Sequence, residues 1–112
     1  METKTLLIVD SLEINRTVLS AMVGTRYQVL EAADGESALE ILAGDADAID
    51  VAMLAFDLDG MSGIATLQEM RDAGYLDSIP VIMIAVDAAS GLMGKAYSLG
   101  ASDFICRPFD MQ

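Results

Sequence analysis

The stretch LLIVDSLEINRTVL, Leu6–Leu19, changes its hydrophobic period half-way along. Leu6, Leu7, Ile8 and Val9 are apolar at consecutive positions, which suits a parallel strand buried on both faces better than a strand with one wet face. Beyond Asp10 and Ser11 the apolar residues fall four apart, at Ile14, Val18 and Met22, the spacing of one face of a helix. Ser11 stands where it can cap that helix and Gly24 where it can stop it. A buried strand that runs at once into an amphipathic helix is the crossover unit a parallel sheet requires.

The unit repeats. YQVLEAA alternates as an edge strand does, and Asp34 caps a helix in DGESALEILAG that carries Leu39 and Leu42 and ends at Gly44. IDVAMLAF is a third strand, leading through DLDGMSG into IATLQEMRDAG, where Ile64, Leu67 and Met70 recur at helical spacing. IPVIMIAV is a fourth strand, and GLMGKAYSLG a helix with Leu92, Ala96 and Leu99 on one face, weakened by Gly91 and Gly94. DFIC is a fifth strand, ending at Arg107-Pro108. Regular β–α alternation over residues 1–112 predicts one α/β domain, an open, doubly wound, five-stranded parallel sheet with helices on both faces. Ligands of such sheets sit beyond the carboxyl ends of the strands.

Composition removes several classes of function. The net charge is −12, from 18 acidic and 6 basic residues, which repels nucleic-acid phosphates and anionic lipid, so neither nucleic acid nor membrane is an expected partner. There is no histidine and one cysteine, which excludes histidine-based acid–base chemistry, an internal disulfide and a CxxC site. Cys106 reads as a small buried strand residue, and the eight methionines as core filler. The apolar fraction is 54% and the mean hydropathy +0.45, yet no apolar run approaches the roughly 20 residues of a membrane span. The amino terminus has no signal-peptide pattern, and a cytoplasmic location is the expectation.

The residues at the strand ends are Asp10 and Ser11, Ala55, Ala85 and Arg107. Together with LLIVDSLEINRTVL, the blocks EAADGESALEIL, DVAMLAFDLDGMSGI, IPVIMIAV and GASDFICRPFD resemble the receiver (CheY-like) domain of two-component response regulators over essentially the whole chain. The resemblance implies the flavodoxin-like strand order 2-1-3-4-5. It also implies a phosphoryl-transfer site made of an acidic pair, an accepting Asp, a Thr or Ser and a Lys before a Pro. Such a site needs a carboxylate to attack phosphorus, a divalent cation to neutralise the oxygens, and a hydroxyl and a cation to hold the transferred group. Carried over position by position, the first acid is Asp10 and the second is Ser11. The accepting Asp is Ala55, the hydroxyl residue is Ala85 and the Lys is Arg107. The resemblance thus implies a degenerate site with no catalytic residue, no cofactor and Mg²⁺ at most weakly held through Asp10.

Alternatives stay open at this point. Asp10 can cap the first helix, pair with Arg107 or retain a metal. Asp57, two residues past Ala55, is a rival acceptor in a shifted site, and with Asp59 and Gly60 it also reads as a solvated turn. A flavin site would need a Ser/Thr/Gly-rich loop after the first strand, and DSLEINRT is acidic and lacks glycine. The expected role is protein–protein contact with a partner or an output domain of the same protein, with a histidine kinase as a partner implied by resemblance. The family also closes with a fifth helix that four residues after Pro108 cannot form. Leu7, Val9, Val51, Met53 and Ile105 are then candidates for a bare sheet face, covered by a second copy in a homodimer or by a following helix. The family's Lys-Pro bond implies a cis Arg107–Pro108 peptide.

Overall fold

The computed structural model describes residues 3–85 and 91–106. Its centre is β1 (Lys4–Val9), paired along one edge with β2 (Tyr27–Ala32) and along the other with β3 (Val51–Ala55), all parallel. Further out lie β4 (Val81–Ala85) and β5 (Asp103–Cys106), giving the order β2-β1-β3-β4-β5. The connecting helices are α1 (Glu13–Val23), α2 (Gly35–Asp45), α3 (Gly63–Asp72) and α4 (Leu92–Leu99). The expected fold class and strand order are therefore observed. Among the described residues no helix is long and apolar enough to cross a membrane.

Alternation along the strands divides the core into two layers. Leu7 and Val9 share one face with Ala52, Leu54 and Met83, and pack with Leu42, Leu67, Met70 and Ala96 from α2, α3 and α4. Leu6, Ile8 and Ile84 face the other way, toward Leu19 of α1. The candidates for a bare face thus separate. Leu7 and Val9 are fully covered, whereas Val51, Met53 and Ile105 lie half-buried in the layer that α1 covers. Cys106 is exposed rather than buried, because β5 is an edge strand and Cys106 is its last residue.

Helix α1 is turned from the face its apolar spacing suggests. Leu19 is its buried residue, and Ile14 is 65% exposed. One turn back from Leu19, the inward positions are Asn15 and Arg16, whose polar groups are used on Asp10, so the helix cannot also turn Ile14 inward. Gly24 ends α1 with φ of 63°. Gly44, by contrast, does not stop α2, which runs on to Asp45 before a short turn at residues 46–48.

Two caps are side-chain caps. Asp34 Oδ1 accepts from the Ser37 amide at 2.7 Å, and Ser62 Oγ from the Ala65 amide at 3.1 Å. The Ser37 amide, and then its hydroxyl, hold the Asp34 carboxyl below the ordinary aspartate range. At Gly63 the first turn of α3 lies against the end of β3. Its amide donates to the Phe56 carbonyl at 2.9 Å, and a Cβ there would collide with the Ala55 carbonyl.

Three outcomes follow, all measurable by urea denaturation. Gly63→Ala is expected to lower stability by about 1–3 kcal/mol, because the obstacle is backbone that cannot step aside. Gly44→Ala, inside a helix with nothing within 4 Å, is expected to raise it by about 0.5–1 kcal/mol. A lowered carboxyl value stabilises the fold above the ordinary value of 3.8 and loses that contribution as pH falls through the lowered one. The stability gap between the natural chain and Asp34→Ala is therefore expected to stay constant near neutrality and to shrink only in acid.

Candidate functional site

Parallel strands end together, so the residues after β1, β3, β4 and β5 gather along one rim of the sheet. Val9 is in register with Leu54, Ala55 with Ile84, and Ala85 with Cys106. The structure accordingly brings Asp10, Ser11, Ala55 and Ala85 to one end of the domain. Arg107 and the Arg107–Pro108 bond lie outside the described residues.

Asp10 is 1% exposed, and a carboxylate that deep must have partners. Its Oδ1 accepts from the Leu12 amide at 3.0 Å, and Asn15 Nδ2 approaches both carboxylate oxygens, at 3.4 and 3.3 Å. Arg16 Nη1 donates to the Asp10 carbonyl at 2.7 Å while its Nε pairs with Glu31 on β2 at 2.8 Å. Asp10 thus organises the turn into α1 from the strand side. The expected cap at Ser11 is not formed, since α1 has no side-chain cap and the Ser11 hydroxyl is engaged elsewhere.

Ser11 Oγ accepts from the Asp59 amide at 3.0 Å, joining the loop after β1 to the loop after β3. Ala55 is 0% and Ala85 2% exposed, and both methyl groups belong to the apolar core. Neither can attack, donate or accept. The sheet ladder continues one residue past Ala55, where the Phe56 amide donates to the Ile84 carbonyl at 3.1 Å. Asp57, next in the chain, is exposed beyond that last hydrogen bond, and Asp59 is exposed too. Among the described residues no three Asp, Glu, His or Cys side chains are grouped as a metal site.

Asn15 and Arg16 are the residues that the pattern of apolar spacing missed. Their signal was available in principle, as two polar side chains one turn before Leu19 on the face toward the sheet. Apolar periodicity is blind to them because it scores only the residues that fill the core.

A family model described as the response regulator receiver domain matches residues 6–112. The chain belongs to that family. This receiver is 34% identical over 103 residues to the two-component response regulator-like PRR37 of Oryza sativa subsp. indica, a match that spans 91% of this chain and 14% of the rice protein. It is 32% identical over 106 residues to the response regulator PleD of Caulobacter vibrioides, spanning 94% of this chain and 23% of PleD. The receiver therefore corresponds to less than a quarter of either relative. Among solved structures, the CheY of Borrelia burgdorferi in complex with CheX, BeF₃ and Mg²⁺ superposes with a TM-score of 0.87 at 27% identity, over 96% of this chain and 80% of that one. The chemotaxis protein CheY4 of Vibrio cholerae superposes equally well, at 0.87, over 97% of this chain and 90% of its own, with 22% identity.

Replacing Asp10 by Ala removes the acceptor of the Leu12 amide and of Asn15 in a part-buried turn. Asp10→Ala is expected to cost about 1–3 kcal/mol in urea denaturation, the range for a buried polar group left without its partner.

Proposed function

We propose that this receiver domain works in two-component signalling as a protein-interaction module that does not depend on phosphorylation of the usual aspartate. The observation that carries this reading is Ala55, a fully buried methyl group at the end of the third strand, where resemblance puts the accepting carboxylate. A methyl carbon has no lone pair, so no acyl phosphate forms there whatever its neighbours do. Two more positions support the reading. Ala85 supplies no hydroxyl to a transferred group, and Ser11 supplies no charge to a cation. Asp10, the acid that remains, already accepts from the Leu12 amide and Asn15, which leaves Mg²⁺ little of the oxygen ligation it needs.

The rival acceptor, Asp57, is exposed past the last ladder hydrogen bond of β3. A carboxylate in that position lacks the enclosed, pre-aligned setting that phosphoryl transfer relies on. The partners of this module are then proteins, either an output domain in the same polypeptide, a separate target or a histidine kinase, met in the cytoplasm. With its acidic surface the domain favours a partner bearing basic groups around the contact.

Incubation with acetyl phosphate and Mg²⁺, read by intact-mass spectrometry, is expected to give no gain of a phosphoryl group. A stoichiometric adduct lost in Asp57→Asn would replace this reading with the shifted site. Calorimetric titration with Mg²⁺ is expected to show no site tighter than roughly 100 µM, consistent with an ion that demands near-octahedral oxygen ligation.

A further inference from the structure

The loops after β1 and β3 are each braced internally before they meet. On the first, the Asp10 carbonyl is held by Arg16 at 2.7 Å and the Leu12 amide by the Asp10 carboxylate at 3.0 Å, so the peptide groups on both sides of Ser11 are fixed. On the second, Gly63 donates to the Phe56 carbonyl at 2.9 Å, closing the loop at its base, and Gly60 turns the chain with φ of 77°. Leu58, between these points, is half-buried against both core layers. Across the gap runs a side-chain hydrogen bond, from the Asp59 amide to Ser11 Oγ at 3.0 Å, between residues 48 apart in sequence.

We infer that this hydrogen bond is a built-in tie that sets the arrangement of the two strand-end loops without any ligand. A hydrogen bond between two pre-ordered segments loses little conformational entropy when it forms, so a single neutral one is enough to select a loop position. The tie consists of a hydroxyl and a backbone amide. It has no ionisable group and needs no cation, so the loops after β1 and β3 present one arrangement to a partner from the outset. The inference concerns loop order alone and stands apart from whether a phosphoryl group is ever accepted nearby.

Residue-resolved amide exchange on the full chain tests it, with the Asp59 rate, set by local opening of its loop, read directly and the Leu54 rate in β3 followed beside it as the report on global stability. The Asp59 amide is expected to exchange about three- to tenfold faster in Ser11→Ala than in the natural chain, the range a neutral hydrogen bond supplies. The natural chain is expected to give the same Asp59 rate in EDTA as in millimolar Mg²⁺. An unchanged Asp59 rate in Ser11→Ala would show that Ser11 does not hold the loop. Protection that appears only with Mg²⁺ would show that the loop is ordered by the cation instead, and either result overturns the inference.

Discussion

Strand β1 is hydrogen-bonded along both edges and covered on both faces, with Leu6 to Val9 no more than 2% exposed. Over Leu6–Val9 a strand in that position admits no polar side chain until it ends, and its two neighbours run parallel to it through covered crossovers. The helices follow from this requirement, since each returns the chain to the amino-terminal edge of the sheet while closing one of its faces. The placement of chemistry follows as well. The first polar residue after the apolar run, Asp10, necessarily appears at the rim, beside the ends of β3 and β4.

The first turn of α1 shows how core and rim are coupled. Leu19 anchors the helix on the sheet, and on the same inward face, nearer the rim, Asn15 and Arg16 reach Asp10. Arg16 also pairs with Glu31, so a single side chain links α1, the loop after β1 and β2. Ile14 is left outside as a consequence. Helix orientation here is set by polar satisfaction of a buried carboxylate as much as by apolar burial, because an unpartnered carboxylate at that depth costs more than one exposed isoleucine.

The close approach at the other side of the rim has a different cause. Gly63 lets the first turn of α3 rest against the backbone at Ala55 and Phe56. Gly35 plays the same part where α2 meets α3, since a Cβ there would collide with Thr66 Oγ1, the buried hydroxyl that donates to the Ser62 carbonyl at 2.9 Å. At Gly63 the contact is with backbone and needs no complementary side chain, whereas at Gly35 it is with the Thr66 side chain. Both glycines bring their helices to short distance beside strand ends occupied by Ala55 and Ala85.

Much of this was legible in the order of residues. Apolar runs such as LLIV and VAMLAF and the alternating YQVLEAA, followed by helical periods marked by Asp34 or Gly24, specify a parallel α/β sheet, because buried strands and amphipathic helices have different periods. Asp10, Ser11, Ala55 and Ala85 could be assigned to strand ends for the same reason. What the sequence alone could not decide was which way each element faces. The rotation of α1, the exposure of Ile14 and Cys106, the division of Leu7 and Val9 from Val51 and Met53, and the meeting of Ser11 with Asp59 all depend on neighbours distant along the chain. Local period states that an element has an apolar side. Only the packed structure, in which every buried polar group must also find its partner, decides where that side points.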